Sequence, residues 1–107
     1  MRKAYVVAAK RSAIGSFLGG LTNVKPVDLG ATVLKETIKA SGLDAKDIDE
    51  CIIGNVISAG LGQNIARQVA LGAGIPETTC SHSLNMVCGS GLKAVMEAVI
   101  RVQAGFG

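Results

Sequence analysis

Asn85-Met86-Val87-Cys88-Gly89-Ser90-Gly91-Leu92-Lys93-Ala94-Val95 is the stretch on which the fold of this chain turns. Before it lies a polar run, Thr78 to Leu84, that reads as a strand. From Leu92 onwards, Val95, Met96, Val99 and Ile100 recur at helical spacing. Cys88 stands at the junction. The first N–H groups of a helix lack intrahelical partners, and the macrodipole adds partial positive charge there. Both favour a thiolate over a thiol. Gly89, Ser90 and Gly91 are small, so a bulky acyl group can approach the sulfur.

Working outward, strands and helices alternate. Tyr5 to Ala9 reads as a buried strand, followed by a loop with Gly15, Gly19 and Gly20. Pro26 suits a first helical turn, where its missing N–H costs nothing. Val27, Ala31, Leu34 and Ile38 then follow a helical period, and Gly42 can take the left-handed conformation that ends the helix, with Leu43 over its last turn. Cys51 to Ile57 reads as a second strand. Ile65, Ala66, Val69 and Ala70 mark a second helix, closed near Gly74 and Pro76. Such alternation predicts an α/β fold with a mainly parallel sheet and right-handed crossovers. On the third helix, Gly91, Ala94 and Ala98 form a small-residue line that another backbone can approach closely, and Glu97 and Arg101 are spaced for an i,i+4 ion pair.

Composition narrows the function classes. The chain has 107 residues, 49% hydrophobic and only 18% charged. The apolar excess predicts faces that a partner covers. No apolar run approaches the ~18 residues of a membrane span, and Ala4 to Ala9 is too short for a signal-peptide core. A cytoplasmic location is expected by default. Net charge is +3, with scattered basic residues and 3% aromatics, which gives nucleic-acid binding no footing. The three cysteines, Cys51, Cys80 and Cys88, are spaced by 29 and 8 residues, which matches no zinc pattern. Cys51 and Cys80 lie in strand-like runs and read as small buried hydrophobes.

Two tempting motifs fail. Gly60-Leu61-Gly62-Gln63-Asn64-Ile65 begins like a dinucleotide fingerprint but lacks its last glycine and a ribose-binding acid. Cys88 occupies the place where the hydrolase nucleophile elbow needs glycine, so Ser90 has no backing as a nucleophile. His82 is the only histidine. On an extended Thr78–Leu84 run it lies up to ~20 Å from Cys88, so it reads as a structural or solvent-facing residue.

The stretch Asn-x-x-Cys-Gly-Ser-Gly-Leu-Lys-Ala-Val resembles the nucleophile segment of the thiolases, and within them the acetyl-CoA C-acetyltransferase branch. Three further blocks resemble the same family in the same order: Ala8 to Phe17, Asp28 to Ala31, and Gly54-Asn55-Val56 with Gly60 to Gln68. Family members are several times longer, with two similar halves. The resemblance therefore implies that residues 1–107 are a partial N-terminal thiolase domain, up to and including the nucleophile helix, with the base histidine, second cysteine and C-terminal half lying elsewhere.

It further implies an acyltransferase that condenses two acetyl-CoA to acetoacetyl-CoA, or runs the reverse thiolysis. Cys88 would be the nucleophile that carries the acetyl group, and its backbone N–H an oxyanion donor. Gln63, Asn64 and Arg67 would lie near the active site or the subunit contact, although a solvated helix start is the plainer reading of those residues. Coenzyme A thioesters are substrates, no metal or redox cofactor is expected, and a homo-oligomer (dimer or tetramer) is. The 107 residues alone are expected to be inactive. A ketoacyl-synthase-like condensing enzyme and a non-catalytic interaction module stay open as alternatives.

Overall fold

The computed structural model describes all 107 residues. Helix α1 runs over Pro26–Ser41, opened by Pro26 and ended by Gly42 at φ 76°, as its sequence predicts. A single 3₁₀ turn, Ala45–Asp47, follows and is capped by Asp44, whose side chain accepts from the Lys46 N–H. Strand β1 spans Glu50–Gly54, helix α2 Ile65–Gly72, strand β2 Cys80–Leu84 and helix α3 Ser90–Ala104.

The two strands pair in parallel, Glu50 with Cys80 through to Gly54 with Leu84. Alternation along the strands sends Cys51 and Ile53 to the face that α1 and α2 cover, and Glu50 and Gly54 to the face that α3 covers. The small core lies on the first face. Cys51, Ala70 and Ile75 pack together there, with Leu34, Ile38 and Ile53 against them. Val69 of α2 is fully buried. On the second face, Glu50 holds two partners at once: His82 Nδ1 at 3.2 Å and Arg101 Nη1 at 3.2 Å. One carboxylate thus ties β1 to β2 and to α3.

Three expectations are corrected, and the packing of the third helix is a further finding. Tyr5 to Ala9 forms no strand; Tyr5, Val6 and Val7 are exposed. A strand exists only where another pairs its N–H and C=O groups, and the sheet contains β1 and β2 alone. Cys80 is exposed rather than buried. Ser81 and Ser83 take the α2 face of β2, which turns Cys80 to the other side, and α3 leaves it uncovered. Arg101 does not pair with Glu97. It reaches Glu50, and Glu97 takes Lys93 at 3.2 Å instead. On α3, the small Ser90 and Ala94 are buried, while Leu92, Val95, Met96 and Ile100 of the apolar stripe are exposed.

That inversion follows from how closely α3 approaches β1. A Cβ on Gly54 would stand 2.4 Å from the Ser90 carbonyl carbon and 2.6 Å from the Gly91 nitrogen. Only small side chains fit such a contact, so the bulky stripe points away. Just 10 of the 107 residues are buried, which leaves broad apolar faces open. No helix is long and apolar enough to cross a membrane.

Candidate active site

Parallel pairing delivers the loops after β1 and β2 to one end of the sheet, the end where ligands bind in open α/β folds. The Asn55 N–H extends the ladder by donating to Leu84 O at 3.0 Å. The chain then turns through Asn85 to Gly89 and enters α3. Cys88 sits in that turn, exposed and unbridged.

The turn is built tightly around it. Val87 has φ 46°, the left-handed region. For a β-branched residue this is a genuine outlier, costing on the order of 1–3 kcal/mol. Neighbouring side chains hold it there. Asn85 Oδ1 accepts from the Val87 N–H at 2.9 Å. The Ser90 hydroxyl donates to Val87 O at 2.6 Å and accepts from the Met86 N–H at 2.9 Å. Asn85 is itself anchored, its Nδ2 donating to Val56 O at 3.1 Å. Backbone bonds from the Gly89 N–H to Met86 O and from the Ser90 N–H to Val87 O close the turn. The N–H groups of Met86, Val87, Gly89 and Ser90 are thus engaged, whereas the N–H of Cys88 donates to nothing in the chain.

The other two thiols differ. Cys51 is buried, its sulfur 3.9 Å from Ala66 O, and burial raises its pKa. Cys80 is exposed, but on β2 rather than at a helix start. His82 meets Glu50, not Cys88.

Gln63, Asn64 and Arg67 lie at the start of α2, and their side chains have different fates. Asn64 caps the helix: Oδ1 accepts from the Arg67 N–H at 3.3 Å and from the Ser83 hydroxyl at 3.3 Å, and Nδ2 donates to Ser81 O at 3.0 Å. Arg67 Nη1 donates to Glu77 O and Thr79 O. Both residues fasten α2 to β2. Gln63 is exposed, and only its backbone carbonyl is engaged, by Gln68 Nε2 at 2.9 Å. A groove of about 580 Å³ beside β1 is lined by Leu34, Ile38, Ile53, Ala94, Val102 and Phe106 among others, and Cys88 is not part of its lining.

Comparison with known proteins places this arrangement. Residues 4–106 match the thiolase N-terminal domain. The chain belongs to the thiolase family. Its thiolase relatives include an acetyl-CoA acetyltransferase of Escherichia coli, 50% identical over 98% of this chain but over only 27% of the relative. One from Clostridioides difficile is 50% identical over 88% of both chains. A thiolase from Ascaris suum, solved in complex with coenzyme A, superposes with a TM-score of 0.96 at 44% identity, covering 98% of this chain and 28% of that one. The chain thus spans about a quarter of the length of the Escherichia coli and Ascaris suum thiolases.

Sequence pattern marks Cys88 but misses the residues that hold its turn. Asn85 and Ser90 give a signal, since polar side chains beside a helix start commonly bond the local backbone. Nothing in a valine announces φ 46°.

Proposed function

We propose that this chain supplies the acyl-carrying segment of an acetyl-CoA C-acetyltransferase, with Cys88 as the nucleophile. The observation that carries the reading is an exposed thiol at the start of α3 beside a backbone N–H with no partner. The names of the relatives support the substrate. The Cys88 sulfur attacks the carbonyl carbon of acetyl-CoA, and the carbonyl oxygen gains negative charge that the Cys88 N–H helps to stabilise. The carbon–sulfur bond to coenzyme A then breaks, and coenzyme A leaves as a thiol after taking a proton. A second acetyl-CoA, deprotonated at its methyl, attacks the acetyl-cysteine carbonyl. The new carbon–carbon bond gives acetoacetyl-CoA, and Cys88 leaves as thiolate. Covalent catalysis of this kind divides one difficult step into two.

The thiolase resemblance puts the base for the methyl proton in the part of the family's length that lies outside these residues, and the one histidine here, His82, lies on β2 against Glu50 with no bond to Cys88. Full activity therefore belongs to a protein of the relatives' full length, in which residues 1–107 form the N-terminal part of the first domain. Such a protein uses coenzyme A thioesters as substrates without metal or redox cofactor, works in the cytoplasm and assembles as a dimer or tetramer. Of Gln63, Asn64 and Arg67, the subunit-contact role falls to Gln63, whose side chain the fold leaves uncommitted.

The test is a mass measurement on the full-length enzyme after brief incubation with acetyl-CoA and acid quench. One acetyl group is expected on the peptide containing Cys88, and none in Cys88→Ala. Acetyl on Cys51 or Cys80, or none at all, would overturn the assignment.

A further inference from the structure

We infer that Ser90 is a positioning residue for acyl transfer, one that aims the Cys88 N–H at the oxyanion; the inference rests on Cys88 being the nucleophile. The starting point is a covalent fact. Val87 C=O and Cys88 N–H belong to one peptide group. That group is planar and trans, so its C=O and N–H point in opposite directions. Whatever fixes the carbonyl therefore fixes the N–H. No peptide bond in the chain is cis.

The carbonyl is fixed strongly. The Ser90 hydroxyl donates to Val87 O at 2.6 Å, and the Ser90 N–H donates to the same oxygen at 3.1 Å. The hydroxyl is anchored in turn, since it accepts from the Met86 N–H at 2.9 Å. Ser90 is 4% exposed, walled in where Gly54 meets the first turn of α3. Its side chain cannot swing away to water. With the carbonyl drawn towards α3, the Cys88 N–H points away from the helix and meets no acceptor in the chain.

Asn85 holds the other side of the same residue. Its Oδ1 accepts from the Val87 N–H, so both polar groups of Val87 are clamped. The clamp explains the backbone. At an ordinary negative φ, rotation about the Val87 N–Cα bond would swing its carbonyl, and with it the Cys88 N–H, in a different direction. Two side chains keep a valine where a valine resists going, and the product of that constraint is the direction of one N–H.

This role differs from general support of the turn in a measurable way. Acetylation of Cys88 passes through a tetrahedral oxyanion and needs the N–H. Alkylation by iodoacetamide displaces iodide at a saturated carbon, builds no oxyanion and needs only the sulfur. In the full-length enzyme, Ser90→Ala should slow acetylation by acetyl-CoA at least tenfold, towards the ~10²–10³-fold seen when an oxyanion donor is removed. It should leave KM and the Cys88 alkylation rate within about threefold. Acetylation unchanged within threefold would overturn the inference. So would a parallel fall in both rates, which marks a disordered turn rather than a misdirected N–H. Should Ser90→Ala fail to fold, Asn85→Ala is measured instead. The same two rates are compared, and the same results support or overturn the inference. Cys88→Ala separates the two levels. If that variant still forms the acetyl-enzyme, the nucleophile assignment has failed. If it does not and Ser90→Ala acetylates normally, only the positioning role has.

Discussion

Replacing Gly54 with alanine puts one methyl group where the structure has least room. The added Cβ would lie 2.4 Å from the Ser90 carbonyl carbon, 2.6 Å from the Gly91 nitrogen and 2.6 Å from the Ser90 carbonyl oxygen. All three are backbone atoms, so no side chain can rotate aside. To reach an ordinary carbon–carbon separation of about 3.5 Å, α3 must withdraw from β1 by roughly 1 Å at its first turn. Overpacking of this size costs about 1–3 kcal/mol. The larger effect is on chemistry. Ser90 moves with the helix, and Val87 and Cys88 move with Ser90, whereas Asn85 stays tied to Val56. A displacement of ~1 Å in a reacting group can cost ~10²-fold. Gly54→Ala in the full-length enzyme should therefore lower kcat for acetoacetyl-CoA cleavage about 10²-fold, with a thermal midpoint only a few degrees lower. Turnover within threefold of the parent, in a protein that melts normally, would refute the reasoning. It would mean that β1 does not set the position of the nucleophile turn.

Other outcomes follow from single contacts. Burial raises the Cys51 thiol above its ordinary value of 9.0. The unfolded chain then loses that proton first, so stability is full below pH ~9 and falls as pH rises towards the folded value; Cys51→Ala should flatten this alkaline limb in denaturant melts. Asn64→Ala removes the α2 cap together with the bonds to Ser81 and Ser83, and should cost about 1–3 kcal/mol by urea unfolding, whereas Gln63→Ala should stay within about 0.5 kcal/mol. His82→Gln should leave turnover within tenfold, because the ring faces Glu50; a loss of ~100-fold with an intact fold would make it a proton-transfer group. A purified 107-residue chain should bind a hydrophobic dye or associate, given exposed Tyr5, Val6, Ile14, Phe17, Leu18 and Leu92, and a monodisperse monomer blind to the dye would speak against that.

The helices are legible in the sequence because each carries its own punctuation. Pro26 and Gly42 bracket α1 with local chemistry that no tertiary contact alters. Strand positions are less secure. Pattern places β1 and β2 within a few residues, but Tyr5 to Ala9 looks equally good and pairs with nothing. A strand is a property of two segments, and pattern in one cannot guarantee the other. The same limit explains Cys80: alternation says which residues share a face, not which face is covered. On α3, size misleads. The large apolar side chains are the conspicuous stripe, yet the close contact at Gly54 buries the small Ser90 and Ala94 instead. Cys88 is legible as the candidate nucleophile from its flanking small residues. The clamp of Asn85 and Ser90 on Val87 is not, because a left-handed valine is imposed by its neighbours rather than by its own preference.

The seat of Cys88 at Gly54, Asn55 and Val56 also has a bearing on how the protein is made. Synthesis runs from the N-terminus at about 5–20 residues per second. The residues that receive the turn leave the ribosome some seconds before the cysteine does. By then α1 and α2 have both emerged, so β1 can already have one face covered. The Cys88 thiol therefore reaches a surface prepared in advance, and the interval in which it hangs on an unstructured chain is short. A codon-level slowing between Val56 and Asn85 would lengthen the life of β1 with its pairing edge bare, and a slowing just after Cys88 would prolong the exposure of the thiol.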